Sequence, residues 1–121
     1  MSKVILCDID GTVANNDHRQ NLLKEFKDWN TFFDQLHLDE PIVEVISFVK
    51  DQKQKGNGVC FITGRPEKYR KKTILWLKKY FDFKFDLIMR KDKDFRNKSE
   101  IKKELFEENF QKENIEFCLE N

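Results

Sequence analysis

Short apolar runs alternate along this chain with stretches whose apolar residues recur at helical spacing. Lys3–Asp8 (KVILCD) is a continuous apolar run closed by Asp and Gly, and it reads as a strand buried on both faces. Val59–Ile62 (VCFI) and Phe85–Met89 (FDLIM) read the same way, and Ile115–Leu119 (IEFCL) is a fourth candidate. Pro41 opens a helical segment with Ile42, Val45, Ile46 and Val49 on one side, and Gly56 closes it. Pro66 opens a second, in which Ile74, Leu77 and Phe81 share a face, with Tyr69, Trp76 and Tyr80 roughly on another. A third runs from Lys98 to Gln111, with Ile101, Leu105 and Phe106 inward. Strands and helices in alternation predict parallel pairing through crossovers, hence an α/β fold: a Rossmann-like parallel sheet sandwiched by helices.

About thirty residues separate the first strand from the Pro41 helix, too many for an ordinary βα loop. Leu22, Leu23 and Phe26 mark one short helix there. Trp29, Phe32, Phe33 and Leu36 mark another, with Asp28 as its N-cap. The expectation is a small helical, cap-like insertion over residues 15–40. Open parallel sheets bind ligands beyond the carboxyl ends of their strands, so such an insertion would cover a site there.

A chain of 121 residues is one domain. Its 23 Lys and Arg nearly cancel its 22 Asp and Glu, which argues against a protein that coats nucleic acid and leaves room for a local basic patch. Cys7, Cys60 and Cys118 each lie in an apolar run without metal-ligand spacing, and are expected to be small buried strand residues in a reducing, cytoplasmic compartment. The N-terminal apolar run is too short for a signal peptide, and no stretch is long enough to cross a membrane.

The sharpest feature is Asp8-Ile9-Asp10-Gly11-Thr12, at the end of the first strand. Residues two apart in an extended chain point the same way, so Asp8 and Asp10 project together while Ile9 packs away. Gly11 permits a sharp turn. Two carboxylates so close repel unless a cation or a shared proton relieves them. The competing reading, an acidic loop that caps the next helix, fits less well because the pair follows a buried strand directly.

This pentapeptide with its strand resembles the first motif of the haloacid dehalogenase-like (HAD) superfamily. Phe61-Ile62-Thr63-Gly64-Arg65 is similar to the second motif, and Lys102 to the lysine of the third. Further residues resemble one branch of that superfamily, the polynucleotide kinase 3′-phosphatase domains. They are His18-Arg19, Thr63 to Glu67, Thr73 with Trp76-Leu77, and Leu87 to Arg90 followed by Asp94, Arg96 and Lys102. The resemblance implies a phosphomonoesterase acting on polynucleotide 3′-phosphate ends or nucleotides. Asp8 would attack phosphorus and carry an aspartyl-phosphate, and Asp10 would act as acid and then base. Mg²⁺ would be held by the Asp8 carboxylate, the Asp10 backbone carbonyl and a later acid, Glu120. Thr63 would donate to a phosphoryl oxygen, although it could equally cap the helix that Pro66 begins. Lys102 would neutralise developing charge; by itself it reads as a solvated lysine beside Lys103. Gly11, Thr12, His18, Arg19, Gly64, Arg65, Arg90 and Arg96 would line the substrate site, arginine forks matching phosphate oxygens. Trp29, Phe32 and Phe33 could stack bases, though an apolar stripe at helical spacing is more often core.

The likeness weakens at the end. The superfamily's fourth motif is an acidic pair, and here Glu120 is followed by Asn121, after which the sequence stops. The C-terminal part of the core is therefore expected to be missing, exposing a sheet edge that invites homo-oligomers. Lys98 also stands where the branch carries an acid. Two other functions stay open: a nucleotidase or small-metabolite phosphatase, and a catalytically weakened binding protein on the same fold. The partners expected are a phosphorylated substrate, a nucleic-acid end or nucleotide, and no membrane.

Overall fold

The computed structural model describes residues 3–19, 29–91, 96, 98–109 and 115–119. Four strands make a parallel sheet: β1 (Val4–Cys7), β4 (Gly58–Pro66), β5 (Asp86–Arg90) and β6 (Ile115–Leu119), in the order β5-β4-β1-β6. β1 is central and registers Val4 to Cys7 against Gly58 to Phe61 on one side and against β6 on the other. Parallel neighbours need crossover connections. These are α2 (Val43–Gln54), α3 (Arg70–Tyr80) and α4 (Lys98–Asn109).

Alternation along the strands sorts the core. Cys7, Val59 and Phe61 join Ile46 and Val49 of α2 and Trp76, Leu77 and Phe81 at α3 in one buried cluster. Leu6, Cys60 and Ile62, the intervening residues, are buried as well, and Ile101 of α4 is buried with them as part of the core. Continuous apolar runs are what two covered faces require. Phe61 sits at the centre, its ring 5.2 Å from Phe81 and 5.3 Å, edge-on, from Phe85.

The structure departs from the sequence expectation at four places. β4 continues through Pro66, so Pro66 opens no helix: a 3₁₀ turn (Glu67–Tyr69) intervenes and α3 begins at Arg70. Pro41 likewise lies in a strand, β3 (Glu40–Pro41), and α2 begins at Val43. β3 pairs antiparallel with β2 (Ala14–Asn15), a two-residue ladder that hydrophobic periodicity is too short to reveal. Cys118 is exposed, because β6 is an edge strand and Leu119, not Cys118, packs on the core.

Residues between β2 and β3 include α1 (Trp29–Asp34) and a 3₁₀ turn (Leu36–Leu38) that packs on α3. Beside this contact, the Phe33 ring of α1 lies 5.0 Å from that of Tyr69, in the 3₁₀ turn that precedes α3. The helix expected around Leu22, Leu23 and Phe26, and its neighbour Asp28, lie outside the described residues. Truncating Phe61 to Ala removes the ring that joins α3 to the sheet, and is expected to lower stability by about 3–5 kcal/mol, read from the denaturant midpoint.

Candidate active site

The chain leaves β1 through a turn wrapped around one carbonyl. Thr12, Val13 and Ala14 all donate their backbone N–H to the Ile9 oxygen, at 3.1, 3.1 and 3.0 Å. Gly11 takes φ +81°, the left-handed region that favours glycine. Ile9 is buried in the core, and Asp8 and Asp10 flank it at the carboxyl end of the sheet. The Asp8 N–H is held by the Leu119 carbonyl at 2.9 Å, so β6 fixes the backbone where its carboxylate begins.

Asp8 is 2% exposed. Lys102, on α4, donates its ammonium to Asp8 Oδ1 at 2.6 Å. Asp8 Oδ2 has the Thr12 hydroxyl at 3.5 Å. The short charge-assisted bond from Lys102 orients the carboxylate and balances its charge in a buried setting. Thr63 is also buried, near the end of β4, and its hydroxyl accepts the Arg65 N–H at 3.1 Å. That bond closes a local turn; α3 starts seven residues later, so Thr63 does not cap it.

Asp10 belongs to a second cluster. Its Oδ1 accepts Nη2 of Arg19 and Nη2 of Arg65, both at 2.8 Å, and its Oδ2 accepts Arg65 Nε at 3.0 Å. Asp39, just before β3, takes the other side of the same guanidiniums. Arg19 Nε reaches its Oδ1 and Arg19 Nη2 its Oδ2 at 2.8 Å, with Arg65 Nη2 at 3.4 Å. His18 Nε2 is also 2.8 Å from Asp39 Oδ1. The Arg19, Arg65 and Asp39 side chains are 0–1% exposed, and Asp10 is 18% exposed. Burial by itself would drive the Arg65 guanidinium down, but the charge and hydrogen bonds of Asp10, with Asp39 and Asp8 beyond, hold it above the ordinary arginine value. The register of β4 against β5 shifts between Thr63 and Pro66, and this bulge frees Arg65 to turn inward.

The structure thus gathers Asp8, Thr12 and Lys102 in one contact set and Asp10, His18, Arg19 and Arg65 in an adjoining one, with Gly11 the turn between them and Gly64 in the bulge. Arg19 and Arg65 were expected on a substrate phosphate; here their guanidiniums bond protein carboxylates. Arg90 ends β5, with β4 between it and β1. Arg96 is exposed and paired with Glu104 on α4. Glu120 lies outside the described residues. Among the described residues, no group of three or more His, Cys, Asp or Glu is arranged to hold a metal ion.

Sequence reasoning missed Asp39 and the contact made by Thr73, whose buried hydroxyl accepts Arg65 Nη1 at 3.2 Å. It also missed the bond from Trp76 Nε1 to the Asp39 carbonyl, 2.8 Å. Nothing in the sequence separates buried Asp39 from exposed Glu40 beside it.

The family described as the polynucleotide kinase PNKP phosphatase domain matches residues 2–121. Among solved structures, the chain is similar to one in a Pnkp1/Rnl/Hen1 complex, with 32% identity and a TM-score of 0.77 over 98% of this chain and 38% of that one. A chain of the Pnkp1/Rnl/Hen1 RNA repair complex gives 33% and 0.77, over 98% and 35%. The present chain therefore spans little more than a third of these relatives. The class C acid phosphatase from Bacillus anthracis with tungstate bound shares the fold at a TM-score of 0.70 and 20% identity, over 98% of this chain and 52% of that one. No curated protein matches.

Burial first, then the neighbouring Asp8 carboxylate, pushes the Cys7 thiol up, and burial pushes Cys60 up to about 12. Alkylation of the native protein near neutral pH is therefore expected to label Cys118 and spare Cys7 and Cys60 until the chain unfolds, as peptide mass mapping would show.

Proposed function

The chain belongs to the polynucleotide kinase PNKP phosphatase-domain family, HAD-type hydrolases of phosphate monoesters, and we propose that it works through an aspartyl-phosphate on Asp8 with Mg²⁺. The observation that carries this reading is the Lys102–Asp8 contact: a buried carboxylate at the carboxyl end of the central strand, oriented at one oxygen by a cation. That arrangement suits a nucleophile whose other oxygen meets phosphorus. Asp8 Oδ2 attacks, the ester P–O bond breaks, and Asp10, which enters the cycle protonated, passes that proton to the departing oxygen. Water then attacks the aspartyl-phosphate and gives its proton to Asp10; the P–Oδ2 bond breaks, releasing inorganic phosphate and restoring Asp8. Lys102 offsets charge on Asp8 and the phosphoryl group, and Thr63 and Thr12 donate hydroxyls to it.

The donors at the strand end are hard oxygens, as Mg²⁺ prefers. The Asp8 carboxylate and the Asp10 backbone carbonyl would hold it, since the Asp10 carboxylate is committed to Arg19 and Arg65. Glu120 would be the third ligand; it follows Leu119, whose carbonyl holds the Asp8 N–H. When bound, the cation would relieve the repulsion between Asp8 and a phosphate dianion.

For the substrate we favour a nucleic-acid 3′-phosphate, within an RNA-repair assembly like those of the Pnkp1 relatives. Exposed Lys68, Lys71 and Lys72 support this. Lys68 lies in the 3₁₀ turn before the helix that carries Thr73, and Lys71 and Lys72 in that helix's first turn; together they provide a basic rim for a polynucleotide backbone. The α1 segment would cover the cleft, with His18 at its margin; Arg90 and Arg96 would take more distant parts of the substrate. The reduced thiols fit a cytoplasmic setting, and no helix among the described residues is long and apolar enough to cross a membrane. The β6 edge, with exposed Cys118, is the surface a second copy would pair with.

Phosphate release from a 3′-phosphorylated oligonucleotide should require Mg²⁺, stop with EDTA, and vanish in Asp8→Asn while circular dichroism stays unchanged. Undiminished turnover in that variant removes Asp8 as nucleophile. Turnover of mononucleotides without the oligonucleotide moves the substrate to small nucleotides.

A further inference from the structure

The strongest unassigned group in the molecule is the Asp39 carboxylate. It is a charge with no exposed surface, drawn from the far end of the segment between β2 and β3, and it touches no atom of Asp8 or Lys102 in the contacts described. Instead it organises the two cations that hold Asp10.

The bond pattern shows how. A guanidinium offers its donors in a rigid planar fork. Arg19 spends Nε and Nη2 on the two oxygens of Asp39, which fixes the plane of its fork, and the second hydrogen of Nη2 is then directed at Asp10 Oδ1. Arg65 does the reverse. It grips Asp10 with Nε and Nη2, rests Nη1 on Thr73, and turns Nη2 toward Asp39 as well. Asp39 is itself anchored from two sides: Trp76 Nε1 holds its carbonyl, and His18 meets its Oδ1. Two carboxylates balance two guanidiniums. Beside them, Asp8 is matched by Lys102. With Asp39 neutralised, two buried guanidiniums would face the single carboxylate of Asp10, and Arg19 would lose the partner that sets its plane.

We propose that Asp39 is a positioning residue for proton delivery: by orienting Arg19 and sharing Arg65, it aims the Asp10 carboxyl into the cleft. The proposal rests on Asp10 being the proton donor, as read above.

Leaving groups separate this role from a merely structural one. An alkyl alcohol must be protonated as it departs, whereas p-nitrophenolate leaves with little help. Asp39→Asn in the full chain should lower kcat/KM on a 3′-phosphorylated oligonucleotide by about 100-fold, the lower end of what general acid catalysis contributes. On p-nitrophenyl phosphate the loss should be several-fold at most. Asp10→Asn should show the same selectivity, more strongly. An equal loss on both substrates in Asp39→Asn, or no loss on either, overturns the proposal while Asp10→Asn remains selective. If Asp10→Asn itself loses both equally, it is the proton-donor reading that fails. Where Asp39→Asn does not fold, Trp76→Phe removes the indole donor on the Asp39 carbonyl and is read in the same two assays. It should give a smaller loss of the same selectivity, and an unselective effect again overturns the proposal.

Discussion

Two guanidiniums enclosed between two carboxylates set the geometry at the mouth of this sheet. Asp10 comes from the end of β1, Arg65 from the bulge at the end of β4, and Arg19 and Asp39 from the two ends of the segment between β2 and β3. Removing charges from water costs several kcal/mol per ion unless each finds good partners. Here each does, and three of the four side chains have essentially no exposed surface. The cluster is satisfied only when all of its elements are docked, so it couples both ends of the segment between β2 and β3 to the core. Such a network contributes less to net stability than to the choice of one arrangement over its neighbours, because any misplacement leaves a buried charge bare.

Asp8 is managed differently. Its backbone is held by β6, its carboxylate by an ammonium on α4, and its other oxygen faces a hydroxyl at a long distance. A nucleophile needs one oxygen accessible, whereas a proton donor needs a fixed direction. In the mechanism proposed above, the sheet supplies both from one tripeptide by giving Asp8 a lysine and Asp10 a pair of arginine forks. The Gly11 turn, wound about the Ile9 carbonyl, keeps the two carboxylates in separate environments although only Ile9 stands between them.

Much of this was legible in residue order. The two inner strands, β1 and β4, appear as apolar runs because both faces are covered, and the Asp8–Asp10 pair stands out because it follows one of them. Legibility failed where short-range pattern carries no information. β2 and β3 pair two residues each. Pro66 is compatible with the end of a strand as well as with the start of a helix, and only the bulge decides between them. Arg19 and Arg65 look like surface arginines or phosphate ligands; their engagement by Asp10 and Asp39 depends on loops meeting in space. Asp39 could not be distinguished from Glu40, since its role comes from Trp76 and Arg19, far away in sequence.

The small ladder of β2 and β3 sets Ala14 opposite Pro41 and Asn15 opposite Glu40, and the Ile42 N–H is bonded to the Val13 carbonyl at 2.8 Å. Everything between those residues therefore leaves the sheet and returns at nearly one point. The entropy of closing such a cassette grows only with the logarithm of its length, roughly 0.6 kcal/mol for each doubling. In the proposed reading, where this segment covers the cleft, its contents can be exchanged for a larger lid that changes which molecules gain admission, while Asp8 and Asp10 keep their places.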